Sequence, residues 1–203
     1  MGLLSVLSLA HKWTSERVQT GDTVIDATAG NGVDTLFLCE LAGPKGQVYA
    51  FDIQERALHN TRMRLERAQQ EGKRLAPVEL LLQSHDQMAQ AVPEQQHGRV
   101  AAVLFNLGYL PDPNADPSLI TRPQTTIAAL ESALALLRPG GLLSIVLYPG
   151  HDGGEEEAAS VDNWARLLDP QAAQVAEYRM LQKPHAPYLI AIEKRKTNQT
   201  KEE

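Results

Sequence analysis

The stretch FNLGYLP, Phe105 to Pro111, closes an apolar run that begins at Val100 and sets an amide, a glycine and a phenol where a buried strand should end. Asn106 there has chemistry suited to an amine: its side-chain oxygen can accept an N–H and leave the nitrogen lone pair aimed at an electrophile. Gly108 would let the backbone come close, Tyr109 offers a ring on which a base can stack, and Leu110 and Pro111 stiffen the wall. The plainer reading has Asn106 merely ending the strand and Tyr109 filling core.

A second group of candidates lies upstream in VIDATAGNGVDTLFL, Val24 to Leu38, where Gly30 and Gly32 occupy a strand-to-helix turn. Such a turn admits a ligand close to the backbone, with a helix amino terminus behind it. Asp26 precedes the turn and Asp52 ends the next apolar run. A carboxylate before the turn suits an ammonium or sulfonium better than a pyrophosphate, and one ending the second strand suits ribose hydroxyls. Thr35 stands where a dinucleotide fingerprint needs its third glycine, and no Walker lysine follows, which disfavours NAD and ATP. The combination favours S-adenosylmethionine over an ordinary turn with Asp26 as a cap.

These residues need a scaffold that brings strand ends together. Short apolar runs alternate with helical patterns, the signature of βαβ units and a parallel sheet. Strands are expected at Val24–Ala27, Gln47–Asp52, Val78–Leu82, Val100–Leu107 and Leu142–Tyr148, each covered on both faces. Helices are expected at Asp34–Leu41, Gln54–Glu71, Pro123–Leu137 and Glu155–Leu168, with Gly43 and Gly72 where helices stop and RPGG, Arg138 to Gly141, turning the chain into the fifth strand. Gln174–Leu181 and Tyr188–Glu193, joined by QKPHAP, read as an antiparallel hairpin at the sheet edge. The expected fold is α/β and Rossmann-like: a mostly parallel seven-stranded sheet with helices on both faces. Residues 1–194 form one domain, and 195–203 a disordered polar tail.

At 203 residues the chain can bury a single core. With 19 Lys and Arg against 25 Asp and Glu, the net charge of -6 gives no chain-wide positive field, so any RNA site must be a local patch. The one cysteine, Cys39, excludes an intramolecular disulfide and a cysteine-based zinc cluster, and reads as inert packing; no metal is expected. The opening MGLLSVLSLAHKW lacks a basic leader region and a cleavage pattern. It reads instead as an amphipathic helix over about residues 3–18, with Leu3, Val6, Leu7, Ala10 and Trp13 on one face. No apolar run is long enough for a membrane helix, and a cytoplasmic location is expected. A homodimer is compatible with the sequence.

The chain resembles the bacterial family first described as rRNA methylases and later as tRNA wobble-uridine methyltransferases acting on 5-aminomethyl-2-thiouridine. The likeness runs through DATAGNGVDTLFL, AFDIQ, SHD, FNLGYLP, LLRPGG, YPGHDGGEEE and APYLIAIEK, most of Asp26 to Lys194; KPHAPYL departs from the family pattern of an Asn and a proline pair. The resemblance implies that Asp26, Gly30, Asn31, Gly32 and Asp34 hold the methionine side of S-adenosylmethionine, Asp52 and Gln54 the ribose, and Ser84, His85 and Asp86 the adenine region.

The implied substrate is the anticodon region of tRNA. An alkyl amine must be bound neutral to donate its lone pair, and Tyr148 and His151 stand where they could orient it or relay its proton. His151 could equally be a hydrogen-bonded loop residue. For RNA, Lys12, Arg17, Arg122 and Lys183 are the better candidates; Arg56, Arg62, Arg64 and Arg67 read as a solvated helix face, and Glu155 to Glu157 would repel phosphate unless turned away. Two other readings stay open: an N-methyltransferase of an rRNA base or of a small amine, and a cofactor-binding protein without turnover.

Overall fold

The computed structural model describes residues 2–108, 120–150, 153–183 and 185–196. Seven strands form one sheet: β1 (Thr23–Asp26), β2 (Gln47–Asp52), β3 (Val78–Leu82), β4 (Val100–Leu107), β5 (Leu137–Leu147), β6 (Ala173–Tyr178) and β7 (Tyr188–Lys194). The helices are α1 (Val6–Ser15), α2 (Val33–Ala42), α3 (Glu55–Gln70), α4 (Met88–Ala91), α5 (Pro123–Leu136) and α6 (Gly154–Arg166).

The strand order is β3-β2-β1-β4-β5-β7-β6, with the first five parallel and β7 antiparallel to both β5 and β6. The order reverses direction between β1 and β4, and that switch opens a crevice beyond the carboxyl ends of the strands. β1 and β4 pair from Val24 with Ala102 to Asp26 with Leu104, and β4 then runs three residues further, to Leu107. As β1 turns away, the Asn106 N–H donates instead to Thr28 Oγ1 at 2.7 Å, so the exposed strand end keeps its backbone donor satisfied.

The expected parallel sheet and C-terminal hairpin are present, with three differences. β3 is an edge strand and only partly covered, because nothing pairs with its outer side. The RPGG segment lies inside β5, where the pairing with β4 jumps from Leu137 opposite Val100 to Leu142 opposite Ala102. Arg138 in that irregularity is held by Asp22 at 2.7 Å and by the Arg17 carbonyl at 2.9 Å. The first helix is shorter than expected. It starts after Ser5, whose hydroxyl accepts from the Ser8 N–H, so Leu3 lies ahead of it and is exposed.

Val6 and Ala10 of α1 pack on Leu142 and Val146 of β5 and on Leu189 and Ala191 of β7, with Trp13 against the same cluster. Leu7, expected on that face, lies at its side and is 44% exposed. Cys39 is fully buried, and burial with the charges of Asp26 and Glu40 pushes its thiol up to about 12, as inert packing requires. The Arg195 N–H donates to the Ala172 carbonyl at 2.8 Å, so this first residue of the expected tail is tied to the sheet; residues 197–203 lie outside the described part. Among the described residues no helix is long and apolar enough to cross a membrane.

Candidate active site

A cavity of about 400 Å³ opens at the β1/β4 switch. Its floor is the turn after β1. Gly30 and Asn31 line it, and the Gly30 N–H donates to Asp52 Oδ2 at 2.9 Å while the Gln54 N–H donates to Asp52 Oδ1 at 3.0 Å. Burial raises the Asp52 pKa, opposed by the N–H groups of Gly30, Gln54 and Ile53. A carboxylate oxygen has more than one acceptor direction, so Asp52 can still receive hydroxyl hydrogens from the cavity side. Asn31 is fixed from behind by α3: Asn60 Nδ2 donates to its Oδ1 at 2.8 Å, and Arg64 Nε to its carbonyl at 2.7 Å. Arg64 is exposed, as expected of a solvated face, and also braces the turn.

Opposite Asp52 stand Asp34, Asn106 and Tyr148. Asn106 Nδ2 donates to Asp34 Oδ2 at 2.6 Å, and the Tyr148 hydroxyl lies 3.5 Å from Asn106 Oδ1. Burial, then the charge of Asp34, raises the Tyr148 pKa, so its phenol stays protonated as a donor. The far oxygen of Asp34 faces His11 Nε2 at 2.7 Å. Gly108 also lines the cavity, and its carbonyl accepts from the Thr121 N–H at 3.1 Å.

The third side is the segment after β3. Ser84 and His85 of that segment line the cavity, as does Gln54 after β2, and burial lowers the His85 pKa, keeping its ring neutral. His85 Nε2 is itself buried and has no hydrogen-bond partner among the described residues.

Several expected site residues stand elsewhere. Asp26 is wholly buried behind the wall: its Oδ2 accepts from Thr35 Oγ1 at 2.6 Å and its Oδ1 from the Thr28 N–H at 3.1 Å. Its burial, then the charge of Asp34, pushes its pKa up to about 7. Gly32 does not line the cavity either; a Cβ there would meet Thr61 Cα of α3 at 2.7 Å, so this glycine serves helix packing and a left-handed φ of 74°. Asp86 is absent from the lining, with Oδ1 buried and unpartnered. Lys12, Arg122 and Lys183 are exposed and lie off the cavity wall, while Arg17 is engaged by Glu193 at 2.6 Å. Tyr109, Leu110 and His151 lie outside the described residues.

Other participants were not singled out from the sequence. His11 carried no motif, and Thr28, though inside the DATAGNG stretch, showed its part only through its contact with Asn106. Glu157 belongs to the acidic run expected to repel phosphate unless turned away, and it is turned away: it is 2% exposed and accepts from Thr121 at 2.5 Å and Thr126 at 2.6 Å. It ties α6 to α5 and to the cavity residue Thr121. Its spacing offered one clue: Glu157 shares a helical face with Val161 and Ala165, which are buried too.

Comparison with known proteins places this architecture. The family described as "Putative rRNA methylase" matches residues 48–193. The chloroplastic tRNA (mnm5s2U34)-methyltransferase of Arabidopsis thaliana is 41% identical over 199 residues, spanning 96% of this chain and 71% of that protein. The crystal structure of an rRNA-methylase from Clostridium thermocellum is 37% identical with a TM-score of 0.86, over 96% of this chain and 100% of that one. A methyltransferase from Streptococcus mutans, solved in complex with SAH, is 37% identical with a TM-score of 0.82, over 95% and 99% of the two chains. By the extent of these matches, this chain belongs to the rRNA methylase family of methyltransferases.

Proposed function

We propose that this protein transfers a methyl group from S-adenosylmethionine to the exocyclic amine of 5-aminomethyl-2-thiouridine at the wobble position of tRNA. The observation that carries the reading is the Asn106 amide, held at the cavity wall with its nitrogen against Asp34 and its oxygen without a short hydrogen bond among the described residues. The cavity fits the cofactor: Asp34 and Asp52 line it, and no lysine or arginine does so among the described residues. A negative pocket suits a sulfonium. Both the Arabidopsis relative, by name, and the SAH held by the Streptococcus protein support the same reading.

S-adenosylmethionine, when bound, supplies a methyl carbon on a positively charged sulfur, open to in-line displacement by an amine lone pair. Asn106 Oδ1 accepts one N–H of the amine, which orients the lone pair away from the amide. An alkyl amine with a solution pKa of about 10 must enter neutral, because its protonated form has no lone pair to donate. Asp34 and the Tyr148 phenol flank Asn106, so the cation left after alkylation, with the neutral thioether SAH as the leaving group, faces a carboxylate until it gives its extra proton to water.

The test is methylation by the purified protein of tRNA carrying 5-aminomethyl-2-thiouridine, beside tRNA lacking it and ribosomal RNA fragments, read by nucleoside mass spectrometry. A wobble nucleoside one methyl heavier, in the first tRNA alone, is expected. Methyl entering only the ribosomal fragments would favour the second reading, an rRNA amine, which the family description supports.

A further inference from the structure

We propose that His11 and Asp34 are positioning residues that lock the Asn106 amide in the one orientation that presents its oxygen to the cavity. The inference rests on the reading of Asn106 given above and adds a part from the N-terminal helix, outside the glycine turn and the strand ends.

The argument starts from what a carboxylate can do. Ionised, it only accepts hydrogen bonds, so the Asn106 group lying 2.6 Å from Asp34 Oδ2 must be the NH2. A flipped amide would set two oxygens against each other at that distance. With Nδ2 committed to Asp34, Oδ1 faces the other way, where the donor it meets among the described residues, the Tyr148 hydroxyl, is 3.5 Å off. That contact is too long to occupy the oxygen, which leaves it open to an incoming N–H.

Asp34 can hold the amide only if its own carboxyl is held. It sits in the first turn of α2, and its Oδ1 is engaged by His11 Nε2 at 2.7 Å, with side-chain exposures of 28% for the histidine and 11% for the acid. The His11 ring also stacks on Phe37 of the same helix, at 3.9 Å between centroids and 6° between planes. Ring and N–H together fix His11 on α2, while Val6 and Ala10 seat α1 on β5 and β7. The chain His11, Asp34, Asn106 thus links an outer helix to the reacting end of β4. His11 itself does not line the cavity, so it acts only through Asp34.

Two substitutions separate positioning from mere helix anchoring. His11→Phe keeps a ring on Phe37 and removes the N–H; His11→Gln restores an N–H near the Nε2 position without a ring. Loss of the lock is expected to lower kcat of His11→Phe by about 10- to 100-fold, as small misplacements of a reacting group do. KM for tRNA and the SAH dissociation constant should stay within about twofold, and His11→Gln should recover most of kcat. Parental kcat in His11→Phe, a fall in SAH affinity that matches the fall in kcat, or a glutamine variant as slow as the phenylalanine one would each overturn the proposal.

A second measurement needs no substrate and no folded variant. In the NMR spectrum of the parent protein, one proton of the Asn106 side-chain NH2 should lie downfield of ordinary asparagine signals because it is donated to a carboxylate. Two protons at ordinary positions would refute the lock. If instead the parent shows the downfield proton but methylates no tRNA, the substrate reading fails and the positioning chain stands.

Discussion

Replacing Asn106 by Asp exchanges an NH2 for an oxygen and sets a second carboxylate where Nδ2 now donates to Asp34 Oδ2 at 2.6 Å. Two full charges at that separation repel by about 6 kcal/mol at an effective dielectric of about 20, and by about 4 kcal/mol once the groups rotate to about 4 Å. The folded pair escapes this cost by keeping one proton between its oxygens, as paired carboxyls do. The unfolded chain has no such pair and has released both protons by mildly acid pH. The folded variant therefore binds more protons than the unfolded one, and its stability falls as pH rises.

At about pH 5, where the shared proton replaces the lost N–H bond, the variant should lie within about 1 kcal/mol of the parent. At about pH 8 the gap should widen to about 3 kcal/mol, because the proton must then be held against its release or the charges left unscreened. Urea unfolding of both proteins at the two pH values, followed by circular dichroism, measures the gap directly. A gap that stays constant with pH would mean that positions 106 and 34 do not touch in solution, and the account of the amide's orientation would go with it.

Gly32→Ala should destabilise by about 2–5 kcal/mol, the sum of a left-handed φ for a residue with a Cβ and the clash with the Thr61 backbone; a loss under about 1 kcal/mol in urea unfolding would show that α3 gives way. Asp26, raised to about 7, holds a proton in the folded state that the unfolded chain has lost above the ordinary carboxylate range, so stability is greater in acid and declines as pH rises through about 7. Asp26→Asn should flatten that decline, and an unchanged slope in the same unfolding series would place its origin elsewhere. Asp52→Ala should weaken SAH binding by about 10- to 100-fold in calorimetry, the loss of hydrogen bonds to a charged acceptor; unchanged affinity would remove Asp52 from the ribose role.

Much of the frame could be read from sequence because the signals were local. Buried parallel strands appear as apolar runs, and the placement of Asn106 beside the glycine turn followed from β4 lying next to β1. Gly30, Asn31, Asp34, Asp52, Gln54, Ser84, His85, Asn106, Gly108 and Tyr148 all meet at one cavity. What escaped was non-local or depended on which way a side chain turns. Asp26 and Asp34 are both acids near one turn, yet Thr35 and Thr28 draw the first inward while only the second reaches the cavity. Gly32 looked like a ligand glycine because a left-handed turn needs one whether its neighbour is a cofactor or a helix. His11 meets Asp34 between two helices 23 residues apart, and no periodicity encodes that meeting. Glu157 was hidden by its acidic neighbours, which remain exposed while it turns to two threonine hydroxyls.

The place of β7 between β5 and β6 has a consequence for synthesis. As the polypeptide leaves the ribosome, α1 emerges well before β7, but half of its seat is Leu189 and Ala191 of that strand. Until that strand docks, β5 keeps a bare edge and the helix bearing His11 has no completed bed. Nascent chains thus pass through a stage in which the glycine turn and Asn106 exist but the outer brace is missing, and the braced site is complete only with the antiparallel strand that closes the gap.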